Sequence, residues 1–245
     1  MLLTAFIHKK QAMTKQEFIN RVLLIMNEAS MADPTGNMFI GADTAQIDRQ
    51  IEGSYVDAWR RCVKVMPRSW FENKTFKSAG LVPDISHGTG YVELPSDFYL
   101  LSSFKMDGWQ KSVQEASMIN ELVSSIQSND YTRGSEIRPV CVIDLQEVSG
   151  VIKHVLRYYS LPKDLTSHAV EQAIYVPVVT PLGEVLSDGD LKLSDQVIEP
   201  MAYITASTVF TMHEKNNIAQ ALDARAVEMF PGLQSVRNGV TTIKQ

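Results

Sequence analysis

Gly90-Tyr-Val-Glu-Leu-Pro-Ser-Asp-Phe98 is the stretch on which the fold turns. Before it, apolar residues recur at helical spacing. After it, β-branched and aromatic residues come in short runs between turn signals. Tyr91 to Leu94 reads as a short strand. Pro95 stops it, because proline has no N–H to give to a ladder. The expected class is α+β, with helical segments towards both ends and a β-rich middle.

Upstream, Thr14-Lys-Gln-Glu17 is a capping-box pattern, in which the hydroxyl and the carboxylate each satisfy a free amide of the first turn. Phe18, Val22, Ile25 and Ala29 then define one helix face. Asp33-Pro-Thr-Gly36 breaks that helix, and Asp43 caps a second. Ile47, Ile51, Tyr55, Ala58 and Cys62 form its stripe, widened by Trp59, Val63 and Met66, and Pro67 ends it. Two amphipathic helices on a short loop predict an antiparallel pair. Trp70-Phe71 opens the passage to the β region, and Lys74 to Phe76 adds a strand.

Downstream, Tyr99 to Met106 and Trp109 to Val113 flank Asp107-Gly108, a hairpin signal because both turn residues tolerate positive φ. Ala116 to Ile126 reads as a helix. Pro139 to Leu145 and Val151 to Tyr159 predict a second hairpin about Val148-Ser-Gly150. Tyr175 to Val179 is β-prone, and Pro177 assigns it to an edge or an extended segment. A helix pair follows from about Ser194 to Phe230, with Pro200 in its first turn or at a kink and a break at Asn216-Asn217. Alanines at 202, 206, 219, 221, 224 and 226 keep this pair slim.

The chain has 245 residues, 44% of them hydrophobic, which is enough for one domain or a domain with a subsidiary lobe. Charged residues at 21% argue against wholesale disorder. The net charge of −5 argues against a free-standing nucleic-acid binder and suits a surface past which DNA slides. No apolar run approaches the roughly 18 residues of a membrane span. The first residues are apolar before they are basic, the reverse of a signal peptide, and the cleaner helix start at Met13 makes residues 1–13 an N-terminal arm or an over-long gene start.

Little catalytic chemistry is legible. Cys62 and Cys141 sit among apolar neighbours and read as buried free thiols. The five histidines, His8, His87, His154, His168 and His213, form no metal-binding spacing. Gly88-Thr-Gly90 precedes a strand where a phosphate loop would open a helix, so it reads as a flexible lead-in to Tyr91. Asp188-Gly-Asp190 lacks an oxygen ligand at Lys192 and reads as a solvated turn. The reading is therefore no enzyme, no cofactor and no metal. Arg60, Arg61, Lys64 and Arg68, with Trp59 and Trp70 close by, are the candidate interface or DNA-proximal residues. The competing reading is a solvated helix end with favourable charge.

Several positions together resemble the head-to-tail adaptor proteins of tailed phages, the tail tubular protein A type most closely. They are Ser69-Trp-Phe71 after the second helix, Leu94-Pro-Ser-Asp-Phe98-Tyr-Leu-Leu101 at the β entry and Phe104 to Trp109. Leu156-Arg-Tyr-Tyr159 and the closing helices with Ala206, Phe210 and Ala219 to Ala226 complete the set. The resemblance spans about residues 14–230. The chain departs from the family by a longer middle, about Val113 to Gly134, and a long connection before Ser194.

The resemblance implies a structural virion protein of the tail neck, assembled in the host cytoplasm. It implies a closed ring, usually of twelve copies, with heterologous contacts between neighbours. The implied partners are the portal protein, downstream nozzle or ring proteins, tail fibres and the genome DNA in the lumen, with no membrane. The implied architecture is one helical bundle from residues 14–68 and 194–231, with an inserted antiparallel β-rich lobe at 69–193. Residues 232–245 read as a flexible tail. A lower tail ring or stopper, a DNA-binding packaging protein and a tail-associated hydrolase are the alternatives.

Overall fold

The computed structural model describes residues 13–31, 44–76, 80–148, 150–162 and 167–230. The fold is mixed α+β, with five α-helices and antiparallel and mixed sheets among these residues. The chain divides into two compact units, one from residues 1–72 with 179–245 and the other from residues 73–178. Residues 69–72 and 179–193, placed with the β middle in the sequence reading, cluster with the helices instead. The expected break at 33–36, the cap at Asp43 and both terminal segments lie outside the described residues.

In the first unit, β1 (Met13–Thr14) leads into α1 (Lys15–Met31). The capping box forms as its pattern requires. Thr14 N–H donates to Glu17 Oε2 at 2.8 Å, and Glu17 N–H donates to Thr14 Oγ1 at 3.2 Å. The Thr14 N–H, and the Thr14 hydroxyl donating to the same oxygen at 3.0 Å, favour the ionised carboxylate and lower the Glu17 pKa. α1 buries Phe18, Val22, Ile25 and Met26. α2 (Thr44–Val65) buries Ile51, Tyr55, Ala58 and Cys62, and Phe18 meets Tyr55 edge-on at 5.3 Å.

α4 (Asp195–Met212) is the central helix of this unit and packs on α1, α2 and α5 (Asn216–Glu228). Ala202 and Ala206 are fully buried in it. Ser207 Oγ donates to the Ala219 carbonyl at 2.8 Å and ties α4 to α5. Arg21 grips the Glu199 carboxylate through two nitrogens, with Nε at 2.9 Å, and joins α1 to α4. Pro200 falls inside α4, beyond the first turn, and the helix continues through it. The break between α4 and α5 comes before the asparagines, where Glu214 takes a φ of 61°, and Asn216 begins α5. In the preceding connection β10 (Asp190–Leu191) pairs antiparallel with β1.

The second unit has two sheets. β2 (Lys74–Thr75), β9 (Val170–Pro177) and β5 (Phe98–Met106) make one, with β9 in the centre. β3 (Leu81–Asp84), β4 (Thr89–Glu93), β8 (Val151–Tyr158), β7 (Cys141–Val148) and β6 (Ser117–Met118) make the other, in that order. Phe104, Trp109 and Tyr175 share one core with Val92, Leu156, Tyr158 and Cys141.

The expected hairpin at Val148-Ser-Gly150 is present. Val148 pairs with Val151, and Gly150 has a φ of 79°. Three other expectations change. β5 pairs with β9 along its length, and Trp109 to Val113 contributes only a bridge from Val113 to Phe104. Only Gly108 of the Asp-Gly pair has positive φ, and Trp109 is pulled into the core, where its Nε1–H donates to the Ser160 carbonyl at 3.1 Å. The helix expected from Ala116 begins at Glu121 as α3 (Glu121–Ser128), because Asn120 caps it by accepting the Val123 N–H at 2.9 Å. Residues 117–118 form β6 instead, parallel to β7.

Pro177 does not make β9 an edge. β2 reaches only Ile174 and Tyr175, so no ladder bond is asked of the proline, which sits at the strand end opposite Phe98. Gly88 to Gly90 is no loose lead-in either. A Cβ on Gly88 would lie 2.1 Å from the Leu161 carbonyl oxygen, and one on Gly90 would lie 2.3 Å from Tyr158 Oη.

Candidate functional site

The predicted site lies on the last turns of α2 and on the 3-10 turn Arg68–Trp70 that follows it. Trp59 is buried and packs edge-on against Phe71 at 6.1 Å, so it is a core anchor and cannot stack on a base. Trp70 is half-buried, and its carbonyl accepts the Ser194 N–H at 3.2 Å. Arg60, Arg61 and Lys64 are exposed and Arg68 is half-buried. Two of these cations are already matched by carboxylates, Arg60 by Asp57 at 3.1 Å and Arg61 by Asp223 of α5 at 2.8 Å. The structure keeps the basic residues on one helix end and reduces their net positive field.

Arg61 and Asp223 stand at the rim of a cleft of about 670 Å³ lined by α4 and α5. Ser207, Thr208, Thr211 and Gln220 give it a polar wall. Such a lining suits helix-to-helix contact with exchangeable hydrogen bonds more than a buried small molecule. Free DNA is therefore expected to bind weakly. Fluorescence anisotropy of a labelled duplex should show little binding at 0.15 M salt, and a steep salt dependence would contradict this.

The second unit carries a different surface, which the sequence reading did not find. A groove of about 580 Å³ is lined by Phe98, Tyr99, Met118, Ile143, Ile152 and His154, among others. Its signal in the sequence is faint. Ile152 and His154 continue the alternation of Leu156 and Tyr158, but only the register shows that they extend past the buried part of the sheet.

The chemistry-bearing side chains elsewhere do not form a catalytic arrangement among the described residues. Asp84, Ser86 and His87 meet in an exposed turn. Both Ser86 Oγ and the Asp84 carboxylate approach the same ring nitrogen, His87 Nδ1, at 2.9 Å. A nucleophile relay needs the hydroxyl and the carboxylate on opposite ring nitrogens, so this is a turn-stabilising cluster. Cys62 and Cys141 are buried, and burial pushes the Cys62 thiol up to about 12 and the Cys141 thiol well above its ordinary value. Neither is a thiolate near neutral pH. Among the described residues no group of three His, Cys, Asp or Glu side chains is placed to hold a metal, and no helix is long and apolar enough to cross a membrane.

His168 is buried beside Tyr158, with Nδ1 2.8 Å from the phenol oxygen. Burial lowers its pKa, and the Asp84 charge partly opposes that shift. The folded state thus binds fewer protons than the unfolded chain just below about pH 6.5, the ordinary imidazole value. The contribution to stability is whole above that pH and is lost as pH falls through the lowered folded value. Thermal melts between about pH 8 and 5.5 should show this loss, and His168→Gln should flatten it. An identical pH slope in the variant would contradict the assignment.

No protein-family model matches the chain, and no curated protein matches it.

Proposed function

We propose that the protein is a structural virion component, a head-to-tail adaptor. Its copies close into a ring between portal and tail, seal the DNA exit channel and offer a platform for tail attachment. In this reading α1, α2, α4 and α5 form one bundle that makes the ring wall. The β-rich middle is a lobe inserted into that bundle and meets neighbouring subunits.

The observation that carries the reading is the distribution of exposed apolar surface. Of the sixteen large apolar side chains exposed among the described residues, eleven lie in residues 73–178. Met118, Leu122, Tyr131, Leu145 and Ile152 are each more than half exposed. Apolar surface concentrated on one unit marks a contact region, which suits a protein that works by assembly. The paired state of Arg60 and Arg61 and the net charge of −5 favour this over a DNA-binding packaging role.

Co-sedimentation with purified portal rings tests the proposal. The folded chain is expected to migrate with the portal. Folded chain left at the top of the gradient beside intact portal would refute it.

A further inference from the structure

The five-stranded sheet leaves a strand edge and an apolar face uncovered at the same place. β8 flanks β7 along its whole length, while β6 covers only Val142 and Ile143 on the other side. The Ile143 carbonyl accepts the Ile119 N–H at 2.8 Å, so its main-chain groups face away from β8. The two-residue period turns those of Leu145 and Glu147 the same way. His154, opposite Leu145, accepts the Leu94 N–H at 3.0 Å on its far side, as that alternation requires. The Leu145 N–H is taken by Asp144 Oδ1 at 2.8 Å. The Leu145 carbonyl and both main-chain groups of Glu147 have no strand beside them among the described residues. An open edge of this kind is a template for one more strand.

Directly paired residues share a face of the sheet, so Met118, Ile143, Leu145 and Ile152 stand together. Met118 is 52% exposed, Leu145 54% and Ile152 71%. The groove of about 580 Å³ opens on this face, with Phe98 among its lining residues. A strand added at β7 would therefore gain main-chain hydrogen bonds and place alternate side chains against apolar surface.

We propose that this edge and groove receive residues 2–10 of a second copy of the chain, Leu2-Leu-Thr-Ala-Phe-Ile-His-Lys-Lys10, as an added strand. Three features fit the segment to the site. Leu3, Ala5 and Ile7 fall on one side of an extended chain and supply the apolar face. Nine residues extend to roughly 30 Å, more than the open part of β7 needs. His8, Lys9 and Lys10 follow the apolar run, and the open edge ends at the exposed Glu147. A segment of one copy seated on a different surface of the next is a heterologous contact, the kind that closes a ring. The inference rests on the adaptor reading for that ring and names one contact between its neighbours.

The test is cross-linking between full-length chains. His8→Cys and Gln146→Cys are placed in separate chains, mixed in equal amounts and treated with a short bismaleimide. Cys62 and Cys141 are buried with raised thiol pKa values and stay unreacted. The expected result is covalent dimer at least about tenfold above a mixture of His8→Cys with Val82→Cys, whose cysteine lies on the exposed β3 edge at the other side of the sheet. Ile152→Asp in the acceptor chain should remove the excess while its thermal melt stays cooperative. Dimer no higher than the control overturns the proposal. So does a chain carrying both His8→Cys and Gln146→Cys that links only within itself, independent of concentration. The measurement needs no portal. Its failure removes the strand exchange alone, and failure to bind portal removes the adaptor reading alone.

Discussion

Gly90→Ala is expected to destabilise the β-rich unit by roughly 3 kcal/mol or more. At about 4–8 °C per kcal/mol for a domain of this size, the melting temperature should fall by at least about 12 °C. The cause is steric. A Cβ at Gly90 would stand 2.6 Å from the Val82 carbonyl oxygen and 2.3 Å from Tyr158 Oη. The tyrosine is fully buried and hydrogen-bonded to His168, and the carbonyl belongs to the paired strand β3, so neither can retreat cheaply. Gly53→Ala is the control. It lies inside α2 with nothing within 4 Å of its added Cβ, and alanine there should raise stability by about 0.5–1 kcal/mol. Denaturant melts of both variants measure the pair. A Gly90→Ala protein as stable as the parent would show that β3 and β4 do not pack as described.

Phe18→Ala should cost about 3–5 kcal/mol, the usual range for emptying a fully buried aromatic site. Phe18 has no exposed surface, sits edge-on to Tyr55 of α2, and belongs to a helix that also packs on α4. If these helices share one core, the loss will spread. Hydrogen exchange should accelerate in α4 as well as in α1, although the two are far apart in sequence. Faster exchange confined to α1 would mean that the helices from the two ends of the chain are not one cooperative unit.

The features that were legible in the sequence are the local ones. The Thr14–Glu17 box and the Val148-to-Gly150 hairpin each depend on residues within a few positions of one another, and both form. The Asp107-Gly108 signal misled because the partner of β5 is β9, which begins at Val170, and a local turn pattern carries no information about that pairing. Asn120 moved the start of α3 because a side-chain cap outweighed the apolar spacing that precedes it. Pro177 was read as marking an edge or an extended segment, but it sits past the end of the β2 ladder, where its missing N–H is not required.

The candidate site follows the same rule. Arg60, Arg61, Lys64 and Arg68 are visible as a run, whereas the Asp223 that offsets Arg61 lies in the last helix. Trp59 was legible both as part of the apolar stripe of α2 and as a candidate interface residue, and it is buried with Tyr55, Ala58 and Cys62. The groove beside β7 needs the register of β6, β7 and β8 before Met118, Ile143 and Ile152 are seen to share a face. The bare segment of β7 is visible only once β6 is known to stop after two residues.

Electron microscopy of the protein mixed with portal-bearing heads tests the central claim most directly. The adaptor reading predicts a ring of added density stacked on the portal, with its copy number readable from the image. Intact portals without added density, in the presence of folded protein, would contradict it.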